Sequence, residues 1–248
     1  MKLIRNTVGL STLLHILLLL AAAIVGALLS YMWTVGYYIS LGAQLPEAPT
    51  VTITDVAFDP QDSAFFNLTL LNPSFSPSSA SAEQVMVSTG DGVLDNVAVI
   101  PTLPQELSIG KSKTLRCFWN WANYTDENVK IHVFIADGSG ANFQAKTPLI
   151  DLVITDLVFN STISVNHFNV TVRNSASSVT HVTVSGVAVD TEIVGNVTPA
   201  LPYTLFPNAS IAFTCPLNWT GYQGKEVTVK VETLQGYAAY YVQTIPEG

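Results

Sequence analysis

The sequence predicts a mostly β protein, in which one N-terminal apolar helix is followed by two tandem immunoglobulin-like β-sandwich domains. Three observations predict it. The chain opens with a long uncharged apolar stretch, its remainder alternates apolar and polar residues with period two, and its second half repeats its first. "CFWNWANYTDENVKIHV" (117–133) and "CPLNWTGYQGKEVTVKV" (215–231) stand 98 positions apart and align without a gap.

The helix comes first. No Asp, Glu, Lys or Arg occurs between Arg5 and Glu47, and within that gap Leu10 to Val35 is a run of 26 residues, "LSTLLHILLLLAAAIVGALLSYMWTV". At 1.5 Å per residue such a helix reaches about 39 Å, enough for a hydrocarbon core of about 30 Å. Lys2 and Arg5 precede it, and all 18 acidic residues follow it with eight of the ten basic ones. The positive-inside tendency therefore expects a single-pass cell-membrane protein with a cytoplasmic N-terminus and an extracellular C-terminus. Tyr31, Trp33, Tyr37 and Tyr38 gather at the outer end, where amphipathic rings prefer the interface. Two other fates stay open at this point: a secretory signal cleaved after "VGA" (25–27), and a pilin-like leader cut near Gly9 that frees the helix to pack in an extracellular filament core.

The domain plan follows: 1–9, a short basic cytoplasmic or leader segment; 10–41, the hydrophobic helix and its membrane-lipid contact; 42–49, the linker "GAQLPEAP"; 50–147 and 148–248, the two sandwiches. "ITDVAF" (53–58) pairs with "ITDLVF" (154–159), "FNLTLLN" (66–72) with "FNVTVRN" (168–174), and "LPQELSIGKSKTLRC" (103–117) with "LPYTLFPNASIAFTC" (201–215). The offsets, 101 and 102 early and 98 late, place a length difference in the middle loops. Val129, Ile131, Val133 and Ile135 alternate with Lys130, His132 and Phe134, the pattern of a strand with one face in the core. About seven such runs per copy, in about 100 residues, match the size of an immunoglobulin-like sandwich.

In the first copy the series Leu107, Gly110-Lys111-Ser112, Cys117-Phe-Trp119-Asn-Trp121 and "VKIHVFIADG" (129–138) resembles the later strands of CARDB-type immunoglobulin-like domains. The whole arrangement is similar to archaeal membrane-anchored surface proteins. The acidic motif often found near the last strand of such domains is absent, since "GANFQAKTP" (140–148) and "GYAAYYVQTIP" (236–246) stand there. The resemblance implies a structural or adhesive protein of the cell surface, with partners among copies of itself or other surface proteins, and no catalytic residues.

Residue chemistry points the same way. Asn-x-Ser/Thr acceptors occur at Asn67, Asn123, Asn160, Asn169, Asn196, Asn208 and Asn218, against about three expected from 15 Asn and 45 Ser plus Thr, so N-linked glycans are expected. Asn67 and Asn169 fall on the outward phase of equivalent strands. Cys117 and Cys215 occupy equivalent positions, one per copy, and read as buried thiols or as an interdomain or intermolecular disulfide. Asp59 with Asp62, and Asp91 with Asp95, read as turn formers rather than a calcium site. His15, His132, His167 and His181 have no partners at metal-ligand spacing. Trp121 and Trp219 match between the copies and read as core anchors, whereas Trp119 has Leu217 as its counterpart and says little. Past the helix, eight basic against 18 acidic residues leave no footprint for nucleic acid. No catalytic motif occurs. The expectation is a non-enzymatic protein without metal or cofactor.

Overall fold

The computed structural model describes residues 7–40 and 48–247, apart from Asp91, Val93, Ser139 and Ser161, with helix side chains from 14 to 37. The leader and linker expectations thus fall largely outside the described residues. The chain divides into two compact units, Met1–Glu47 and Ala48–Gly248.

In the first unit, α1 runs Thr7–Ser40. Leu14–Tyr37 is long and apolar enough to cross a membrane, and none of it is buried against protein. Leu19, Met32 and Trp33 are among the exposed side chains, so the helix is apolar all round rather than along one stripe. Trp33 and Tyr37 stack, with ring centroids 5.8 Å apart.

Among the described residues the second unit holds 17 strands. The first copy holds β1 (Thr52–Phe58), β2 (Phe66–Leu71), β3 (Ala80–Ser88), β4 (Leu94–Asn96), β5 (Ala98–Ile100), β6 (Gln105–Leu107), β7 (Ser112–Phe118), β8 (Asn128–Ile135) and β9 (Gly140–Lys146). The second holds β10 (Leu152–Val158), β11 (Phe168–Asn174), β12 (Val182–Val189), β13 (Glu192–Ile193), β14 (Tyr203–Leu205), β15 (Ser210–Cys215), β16 (Glu226–Thr233) and β17 (Ala238–Thr244). All pairings are antiparallel. Sheet order is β1-β2-β7-β5 facing β4-β3-β8-β9 in the first copy, and β10-β11-β15 facing β13-β12-β16-β17 in the second, with β6 and β14 added on β3 and β12. Seven runs per copy undercounts these nine and eight. The short strands β4, β5, β6, β13 and β14 are two or three residues long, too short to show a period, and β5, β6 and β14 adjoin Pro101, Pro104 and Pro202.

Inward phases meet as period two requires. Phe66, Leu68, Leu70, Leu115 and Cys117 from one sheet face Val85, Val87, Ile131 and Val133 from the other, all essentially inaccessible to solvent. Phe168, Val170, Val172, Phe213 and Cys215 face Val187, Val189, Val229 and Val231 in the second copy. The copies share their irregularities too. Register shifts between Ile53 and Asp55 and between Ile154 and Asp156, and Thr54 and Thr155 donate to the carbonyls of Thr69 and Thr171 at 3.2 and 3.3 Å.

One buried asparagine, equivalent between the copies, closes each sandwich. Asn72 Nδ2 donates to the carbonyls of Ser78 and Leu107, both at 2.9 Å, and Asn174 Nδ2 to those of Thr180 and Leu205, both at 3.0 Å. Each amide ties the loop after its strand to the end of β6 or β14. Asn72→Ala strands two buried carbonyls, so unfolding stability should fall by about 2–4 kcal/mol. Asn174→Ala should cost the same, as read by urea denaturation; a change under about 0.5 kcal/mol rules the clamp out.

Candidate functional surfaces

Six of the seven acceptor asparagines are exposed, and Asn160 is half-exposed. Asn67 lies in β2 between Ala57 and Arg116, and Asn169 in β11 between Val158 and Thr214, so both are laddered on each side. Their side chains point outward because Leu68 and Val170, one residue on, fill the core. Asn67 has a cationic neighbour that sequence reading missed: the Arg116 guanidinium sits 3.4 Å from the Phe65 ring centroid. Asn208 accepts a hydrogen bond from Arg173 at 3.1 Å. Asn123 stands in the loop after β7, and Asn196 has a left-handed backbone with φ of 51°.

Cys117 and Cys215 are free, buried thiols, one in each sandwich. Burial pushes both up to about 12 from 9.0, because the thiolate loses its hydration. Between those values the unfolded chain releases protons that the folded chain keeps, so the thiols' contribution to stability is constant below pH 9 and declines as pH rises above it. At pH 8 maleimide should label neither cysteine in the folded chain and both in guanidinium; rapid native labelling would contradict this burial.

Trp121 and Trp219 are fully buried core anchors. Their indole N–H groups donate to the carbonyls of Phe65 (3.1 Å) and His167 (2.9 Å). Trp119 says more than its mismatch with Leu217 suggested. It stacks on Tyr124 at 5.1 Å and donates to Asp95 at 3.1 Å, which ties β4 to the end of β7. Asp59 and Asp62 accept from the backbone N–H groups of Gln61 (2.9 Å) and Ala64 (3.1 Å), as turn formers do. Asp91 lies outside the described residues. His132 is half-exposed and bonds Ser88 at 3.2 Å. Among the described residues no three His, Cys, Asp or Glu side chains gather as an ion site. Open grooves of about 530 and 310 Å³ lie at equivalent places, beside Val97, Val99 and Leu103 in one copy and Val194, Val197 and Leu201 in the other. Glu83 is the one charged residue in either lining, so neither groove joins an acid to a base.

The feature least legible in the sequence is the joint between the sandwiches. The connection from Thr147 to Asp151 is hydrogen-bonded throughout: Thr147 N to the Glu127 carbonyl (2.9 Å), Asp126 N to that of Pro148 (3.3 Å) and Val179 N to that of Leu149 (3.0 Å). Buried Ser63 then donates both its backbone N–H (3.3 Å) and its hydroxyl (2.5 Å) to the Gln235 carbonyl. Tyr237 donates its hydroxyl to the Pro60 carbonyl at 3.0 Å and meets the Trp121 ring edge-on at 5.8 Å. Gln61 reaches Thr180 (2.7 Å) and the His181 carbonyl (3.2 Å). Burial, with Asp59 and Asp62 nearby, raises the Tyr237 phenol well above its usual range, so it stays a donor. Gly236 has φ of +94°, and a Cβ there would stand 2.6 Å from Ser63 Oγ; its counterpart Gly138 has open space. Gly236→Ala should therefore cost about 2 kcal/mol or more, whereas Gly138→Ala carries only the left-handed backbone cost of about 1–2 kcal/mol. Thermal unfolding of the two variants measures the difference, and equal losses would remove Ser63 from the account.

No protein-family model matches this chain, and no curated protein matches it. Solved structures similar to it include the E. coli chaperone DraB, 15% identical with a TM-score of 0.31 over 79% of this chain and 98% of that one. The periplasmic chaperone SfaE is 13% identical with a TM-score of 0.29 over 79% and 100%. The secreted serine protease VesC from Vibrio cholerae is 10% identical with a TM-score of 0.29 over 83% and 52%. Likeness of this degree carries no argument about what the chain does.

Proposed function

We propose that this chain is a non-enzymatic, structural or adhesive protein of the cell surface, anchored by α1 and presenting two glycosylated sandwiches outside the membrane. One observation carries the reading: an apolar helix, unburied over Leu14–Tyr37, belongs to the same chain as a jointed pair of β-sandwiches. A helix of that kind is stable in hydrocarbon and costly in water. The joint suits a spacer, since hydrogen bonds on both sides of the connection hold the two modules as one arm. The resemblance to CARDB-type surface proteins agrees with this use.

The test is the mature N-terminus and intact mass of the chain isolated from native cell envelopes. A chain that keeps its first residues and exceeds 26.7 kDa by discrete saccharide increments supports the anchored reading. A start near Leu10 replaces it with a filament subunit whose helix packs in a polymer core. A start near Leu28 removes the anchor altogether.

A further inference from the structure

The same pair of turns occurs at corresponding ends of the two sandwiches, and the copies have diverged there. In the first, Asp59 Oδ1 accepts the Gln61 N–H at 2.9 Å and Asn120 Oδ1 the Ala122 N–H at 3.0 Å. In the second, Asn160 Oδ1 accepts the Thr162 N–H at 3.0 Å and Asn218 Oδ1 the Thr220 N–H at 3.1 Å. The first pair reads Asp-Pro-Gln and Asn-Trp-Ala, the second Asn-Ser-Thr and Asn-Trp-Thr. The first pair of turns is occupied by the joint: Pro60 and Gln61 bond the second sandwich, and Ala122 lies within 3.9 Å of where a Gly236 Cβ would be. Of these four turns, only the two outside the joint begin an acceptor triplet; in the first sandwich the triplet Asn123-Tyr124-Thr125 starts directly after the turn at Asn120.

In those two turns the threonine hydroxyl donates back to its own asparagine, at 2.6 Å in Thr162 and 2.7 Å in Thr220. Carboxamide and hydroxyl, the two groups that define the acceptor triplet, stand side by side at the surface. The strand acceptors differ. Thr69 pairs its hydroxyl with Thr114 across the ladder at 3.1 Å, and Asn169 Oδ1 accepts from Thr214 at 2.9 Å rather than from its own Thr171.

We propose that Asn160 and Asn218 can be glycosylated on the folded chain, from a lipid-linked saccharide donor, whereas Asn67 and Asn169 accept only before their strands pair. In the transfer, Nδ2 loses a proton and forms the bond to the anomeric carbon. The bond from that carbon to the lipid phosphate oxygen breaks, and the lipid phosphate leaves with the electron pair. A transferase must draw the triplet into its own cleft. A surface turn yields without disturbing a sheet, but freeing the Asn67 or Asn169 triplet breaks ladders on two sides, an opening drawn from the most stable part of the fold. The inference rests on the extracellular location proposed above.

The experiment incubates the purified folded chain with an oligosaccharyltransferase and a lipid-linked saccharide, alongside synthetic peptides spanning the four triplets. Occupancy is read by glycopeptide mass spectrometry, and each site's rate is divided by that of its peptide. Asn67 and Asn169 are expected to lag Asn160 and Asn218 by about a hundredfold in the folded chain. Equal normalised rates at strand and turn sites, or slower rates at the turns, overturn the proposal. Failure of the location reading has a different signature: chain from native envelopes carries no saccharide, while the purified chain still shows the predicted ranking.

Discussion

Trp121→Ala is expected to lower the stability of the sandwich pair by about 3–5 kcal/mol, through the lost burial of a large ring and the cavity left behind. Trp121 is inaccessible to solvent, and its ring meets Phe58 edge-on at 5.5 Å. Its backbone N–H donates to the Ser63 carbonyl at 3.0 Å, and its face supports Tyr237 of the other sandwich. The substitution therefore acts on a core and on the joint together. Trp219→Ala makes an equally large hole, but Trp219 contacts Phe159 and His167 within its own sandwich. Thermal unfolding should show a fall of about 10 °C or more for each. Small-angle scattering of native protein should show a broadened distribution of shapes for Trp121→Ala and not for Trp219→Ala. If both variants scatter alike, Trp121 is a core residue with no part in the joint.

The combined change Ile24→Arg and Leu28→Arg should move the protein from the membrane to the soluble fraction. Both side chains lie within the exposed apolar run Leu14–Tyr37. Each arginine near the middle of a spanning helix costs about 2.5–3.5 kcal/mol of insertion, so the pair costs about 5–7 kcal/mol, enough to reverse a single-helix equilibrium. Ile24→Ala with Leu28→Ala is the control for lost side-chain volume. Carbonate-washed membranes from expressing cells provide the measurement. Retention of the arginine variant in the pellet would mean that something other than α1 holds the protein there, and the proposed anchor would be wrong.

Alternation is legible in sequence because a strand must place every second residue in the core. The valines of "VTVKV" (227–231) and the phenylalanines of "FNLTL" and "FNVTV" are buried where period two put them. Trp121 and Trp219 are legible as anchors for another reason, because they match between the copies next to the cysteine strand. Ser63, Gln235 and Tyr237 were not. The first two are polar residues in turns, and polarity at a turn ordinarily means solvent. Only the approach of a second sandwich removes their water and requires them to bond each other.

The sequence by itself determined the apolar helix, the two β units, their inward faces and the positions of the acceptor triplets, because each depends on residues close together in the chain. Tertiary structure alone decided which of the equivalent turns became a joint and which stayed open at the surface. It also decided which triplets lie in paired strands and that the two thiols are buried. Those outcomes are set by contacts such as Ser63 with Gln235, across 172 residues of chain, where no local period exists to announce them.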